Sequence, residues 1–133
     1  MLNRAGRRLV CLDASGIMLA ISLLDLWKGD AVLAMAYGRP YREVLGLVSH
    51  AQDLGAPFVL ISDRAAGQPA KLADAIIFVP RGRRGHVALH AGTVLALEII
   101  VLALAASDRS RALMHLYRLN ALRAAVLGEQ RKV

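Results

Sequence analysis

With 133 residues the chain is long enough for one hydrophobic core and leaves little for a second. Hydrophobic residues make up 56% and aromatics only 5%, so the core is aliphatic, and part of the apolar surface is expected to face another subunit. The net charge of +7 is nearly all arginine and points to anions, phosphate first and nucleic acid second; the single cysteine, Cys11, excludes a disulfide framework and a cysteine-based metal site and fits a reducing, cytoplasmic compartment.

In chain order, Arg7–Asp13 reads as a first strand, and Ala14-Ser15-Gly16 turns into a helix over about Ile17–Leu26 with Ser15 as a candidate cap. Four apolar residues, Leu9–Leu12, are too few for a signal peptide. Ala31–Ala36 is the second strand, and a helix is expected from Pro40 to about Leu54, closed by Gly55. Phe58–Ile61 and Ala75–Val79 are short runs rich in β-branched and aromatic residues, ended by Asp63 and Pro80, and read as two more strands. Gly67, Pro69 and Leu72-Ala73-Asp74 leave enough chain between them for a short crossing helix. Neither run alternates apolar with polar, which predicts a parallel sheet covered on both faces. After the basic loop Arg81-Gly82-Arg83-Arg84-Gly85 come a long apolar helix over about His86–Ala106 and a last amphipathic helix over about Asp108–Leu127. Val87–Ala106 is long enough to span a bilayer, but Glu98 near its middle costs about 2.5–3.5 kcal/mol there, so no membrane is expected and a buried helix in a soluble oligomer is the better reading.

The order defines a single α/β domain, an open parallel sheet of about four strands with helices on both faces. Ligands of such sheets bind beyond the carboxyl ends of the strands. Those ends read Asp13–Gly16, Tyr37-Gly38-Arg39, Ser62-Asp63-Arg64 and Arg81–Arg84, and all but the first carry arginine. If the strands are parallel, these guanidiniums gather on one rim as an anion site.

The chain resembles a sugar isomerase (SIS) domain, most closely the C-terminal effector domain of RpiR-type bacterial transcriptional regulators. The match lies in Gly29–Ala34, Arg42-Glu43-Val44, Gly55-Ala56-Pro57 through Ile61-Ser62-Asp63, Pro69–Asp74 and Val79-Pro80. It covers most of residues 7–105, and Gly55–Pro80 is its most specific part. The resemblance implies a flavodoxin-like sheet, dimerisation through helices and recognition of a phosphosugar. Two departures stand out. The family's first strand, with its Gly-x-Gly-x-Ser turn, and the helix-turn-helix domain of the regulators have no counterpart, so residues 1–133 are an SIS-like domain incomplete at the N-terminus relative to the family. Either the strand order adapts, or a partner chain fills the gap, or the chain is part of a longer product. Where many relatives carry Ser and Thr hydroxyls in the phosphate loop, this chain has Ala36, Gly38 and Tyr41 around Arg39.

Arg39 and Tyr41 lead the candidate ligand contacts, a fork-shaped cation and a phenol at a strand end. Ser62 and Arg64 share that edge, although Ser and Asp after a strand commonly just satisfy turn amides. Arg81, Arg83 and Arg84, spaced by glycine, resemble a phosphate cradle or a solvated loop. His86 and His90 stand one helical turn apart, the spacing of a two-histidine metal pair, but no third ligand accompanies them and no metal or other cofactor is expected. The reading is therefore a non-catalytic, homodimeric effector module that binds a phosphosugar or similar anionic carbohydrate derivative, pairs through the 86–106 helix and reaches DNA only through a separate DNA-binding domain. The alternatives are a sugar-phosphate isomerase using Glu98 or a histidine as base, and a structural remnant whose site is lost.

Overall fold

The computed structural model describes residues 2–83 and 85–128. The chain forms two compact units, one from Met1–Cys11 and Leu97–Val133, the other from Leu12–Ala96.

The 12–96 unit is the α/β layer. Helix α1 (Gly16–Leu23), strand β1 (Val32–Met35), helix α2 (Arg42–Leu54), strand β2 (Phe58–Ser62), helix α3 (Gln68–Leu72) and strand β3 (Ala75–Phe78) follow in order, and helix α4 (Ala91–Ser107) begins in it. The strands are parallel in the order β1-β2-β3, with Val32 opposite Phe58 and Val59 opposite Ala75. Strand alternation sends Val32, Ala34, Phe58 and Leu60 to one face, where they form the core with Leu47, Val48 and Ala51 of α2 and Ala70 of α3. Leu23 of α1 packs against the same cluster. Helix α2 stops at Gly55, whose φ of 68° is the left-handed conformation glycine supplies at a helix end.

On the opposite face Ile61 and Val79 are buried. The first turn of α4 lies against that side: a Cβ added to Gly92 would stand 2.9 Å from Val79 Cγ1, so the approach requires glycine. Helices thus flank the sheet on both sides, as the apolar runs predict. Full two-sided burial, however, belongs to β2. Strand β1 alternates buried Val32 and Ala34 with exposed Leu33 and Met35, and β3 is mostly exposed, because each has only one neighbouring strand.

Three of the four expected strands are present, and the first is a correction. Residues 7–15 form no strand. Leu9 and Val10 are exposed, and the Leu9 N–H donates to the Asn3 side chain at 3.1 Å instead of to a ladder. An apolar run becomes a strand only where a neighbouring edge accepts its backbone groups. The long helix also begins later than expected, at Ala91. The amides that would have started it serve a loop: His86 N donates to Arg83 O at 3.1 Å and Leu89 N to Arg81 O at 3.0 Å, and the first helical bond is Val94 N to His90 O at 3.0 Å. His86 and His90 therefore do not stand on one helical face. Helix α2 likewise starts at Arg42, with Pro40 ahead of it.

The other unit is helical. It holds α4 from Leu97 onward, helix α5 (Arg109–Leu127) and a 3-10 turn, Leu2–Ala5, that packs on α5 and buries Ala5. The break between α4 and α5 bends by 106° at Asp108, which caps α5: Oδ1 accepts from Arg111 N at 3.1 Å while Oδ2 pairs with Arg111 Nε at 3.0 Å. No residue of α5 is buried, and in α4 the buried residues are Thr93 and Ala96. No single helix among the described residues is long and apolar enough to cross a membrane.

Candidate functional site

Parallel strands deliver their exits to a single edge, so Tyr37-Gly38-Arg39 after β1, Ser62-Asp63-Arg64 after β2 and Arg81 after β3 all emerge on the carboxyl side of the sheet. Between the first two exits lies a cavity of about 20 Å³, walled by apolar Ala36, Leu60 and Ala70 and presenting Gly38, Ser62 and Arg64. That volume holds about one water molecule, the size of a single phosphate oxygen rather than a sugar. A wider groove of about 290 Å³ opens at the amino ends, beside Gln52, Ala56 and Asp74. It offers no cation, and its one carboxylate is engaged, Asp74 Oδ2 accepting from Phe58 N at 2.7 Å.

The candidate residues divide by their surroundings. Ser62 is buried, and its hydroxyl accepts the Arg64 N–H at 3.1 Å, the local turn satisfaction that Ser after a strand commonly provides. The Arg64 residue is exposed at the cavity mouth. Arg39 and Tyr41 are exposed on either side of the cavity-lining Pro40, and Arg83 is exposed in its loop. Arg84 lies outside the described residues.

Arg81 is drawn inward. Its guanidinium carbon sits 4.1 Å from the centroid of the Tyr37 ring, and its Nη2 and Nε each lie 3.5 Å from Asp63 Oδ2. The other oxygen of Asp63 accepts the Gly38 N–H at 2.9 Å. This amide bond, with the attraction of Arg81 behind it, holds the Asp63 carboxyl below the ordinary carboxylate range against the opposing effect of partial burial. Tyr37 completes the cluster, its hydroxyl hydrogen-bonded to Thr93 Oγ1 in the first turn of α4 and its ring edge-on to His90 with centroids 6.3 Å apart. Asp63 and Gly38 thus bind β1, β2 and the exit of β3 into one cluster.

From the sequence alone Asp63 reads as a residue that satisfies turn amides and Tyr37 only as part of a strand exit, while Thr93 carries no expectation. A polar residue on the first turn of an otherwise apolar helix and an aromatic at a strand exit are the signals that mark them. Glu98 lies on the α4 segment of the 97–133 unit, apart in sequence from these exits. Among the described residues no group of three or more His, Cys, Asp or Glu is placed to hold a metal ion.

A parallel sheet flanked by helices, with its polar cluster at the carboxyl edge, is a flavodoxin-like α/β arrangement. No family model and no curated protein matches the chain. A solved structure does: the sugar isomerase domain of an RpiR transcription factor from Sphaerobacter thermophilus superposes with a TM-score of 0.80 at 24% identity, covering 90% of this chain and 67% of that one. The likeness is one of fold, and it bears out the α/β arrangement that the resemblance implied.

Proposed function

We propose that the chain is a non-catalytic effector-binding module of the RpiR type, which takes a phosphosugar or similar anionic carbohydrate derivative at the carboxyl edge of its sheet. The observation that carries this reading is the small cavity where the Gly38 backbone, Ser62 and Arg64 converge. It accommodates an oxygen of an anionic group, while the remainder of the ligand lies over the exposed rim with Arg39 and Tyr41. Arg81, Arg83 and Arg84 on the following loop add positive potential. Two copies pair through α4, whose Val94, Leu95, Ile99 and Leu102 form an exposed apolar stripe, and output to DNA passes through a separate DNA-binding domain in the cytoplasm.

A thermal-shift titration of the full chain with a set of sugar phosphates, followed by NMR of each ligand, tests the reading. The expected result is a raised Tm without chemical conversion, reduced in Arg64→Ala and Arg39→Ala. A panel that leaves the Tm unmoved overturns the binding role; product in the NMR spectrum overturns the non-catalytic one.

A further inference from the structure

The rim carries its own anion. Among the groups suited to an acidic ligand, the Gly38 N–H and the Arg81 guanidinium are both turned toward the Asp63 carboxylate. Gly38 also lines the cavity, so the amide taken up by Asp63 belongs to the wall of the proposed site. The two contacts are unequal. The amide bond is 2.9 Å, whereas both guanidinium distances are 3.5 Å, well beyond the roughly 2.7–2.9 Å of a tight charge-assisted contact. Nε of Arg81 is buried and makes no hydrogen bond among the described residues. A buried guanidinium nitrogen that is ion-paired at 3.5 Å but not hydrogen-bonded has donor capacity left over. Asp63 remains partly exposed, with 23% of its side chain accessible, so an incoming group reaches it without unfolding the loop.

We propose that Asp63 is an internal stand-in for the ligand, its carboxylate holding the Gly38 amide and the Arg81 guanidinium until a more highly charged anion displaces it. This rests on the anion-site reading above and adds a selection rule to it. A monocarboxylate replacing Asp63 exchanges one single charge for another and gains little. A phosphate monoester, with up to two charges and three acceptor oxygens, gains on exchange. Its additional acceptors also satisfy the Arg81 donor that Asp63 leaves unbonded. The site therefore rejects carboxylates of the surrounding solution and responds to phosphorylated ligands.

The test is calorimetric titration of the full chain with inorganic phosphate and, separately, with acetate, in wild type, Asp63→Asn, Asp63→Ala and Arg64→Ala. Asp63→Asn keeps the side-chain shape and an oxygen for the Gly38 N–H, so it reports on charge even if the alanine variant does not fold. Removal of the resident anion is expected to tighten phosphate binding about ten-fold and to narrow the preference for phosphate over acetate. Unchanged or weaker phosphate binding in folded Asp63→Asn overturns the proposal, as does the absence of phosphate binding in all four proteins. The Arg64→Ala arm separates the two readings. Binding that Arg64→Ala weakens but Asp63→Asn leaves alone keeps the cavity and removes the stand-in; tighter binding in Asp63→Asn with no effect of Arg64→Ala keeps the stand-in and removes the cavity.

Discussion

Asp63 is one residue past a strand end, yet its partners come from the exits of the two neighbouring strands. Among the described residues the nearest cation in sequence, Arg64, donates its backbone amide to Ser62, and the guanidinium paired with Asp63 is that of Arg81. The consequence is a pH dependence with a definite sign. The folded-state pKa of Asp63 is depressed, first by the Gly38 amide and then by Arg81. Its contribution to stability is thus complete above the ordinary carboxylate value of about 4 and is lost as pH falls through the lower folded value. Thermal unfolding followed from pH 6 down to about pH 3 is expected to show a smaller loss of Tm in Asp63→Asn than in wild type. Equal losses in the two proteins would remove Asp63 from the acid response. Choice of partner was not legible beforehand, since a side chain at a strand exit selects among neighbours that only the register brings close.

At the level of elements, β2 was the most readable stretch and residues 7–13 the least. Phe58–Ser62 is nearly continuous in burial because it is the middle strand, and a middle strand must be apolar on both faces. Residues 7–13 have a similar apolar character, but no ladder receives them. The same distinction sorts two phenylalanines. Phe58 is 1% exposed in the core and Phe78 is 57% exposed on the edge strand. Phe58→Ala is expected to cost about 3–5 kcal/mol by chemical denaturation, and Phe78→Ala no more than about 1 kcal/mol. Comparable losses from both would show that β3 is covered in solution. The start of α4 was legible to within a few residues only, because hydropathy continues through Val87 and Leu89 while their backbone belongs to the Arg81–His90 loop.

For the molecule as a whole, the decisive fact is how little of α4 and α5 is buried. Leu102 of α4 is 67% exposed and lies on the stripe assigned above to a second copy. Light scattering is expected to give twice the chain mass for wild type and a shift toward a single chain for Leu102→Glu, without loss of helical signal. A wild-type protein that scatters as one chain would end the pairing through α4. What the residues alone determined is the layered α/β class, three of the four parallel strands they suggested and the edge onto which the strand exits open, because burial on two faces leaves continuous apolar runs and strand ends demand turn residues. Which arginine turns inward, which apolar run finds no ladder and which carboxylate meets the Gly38 amide were decided by the tertiary structure. Those outcomes depend on distances between segments far apart in the chain, and neither composition nor periodicity encodes them.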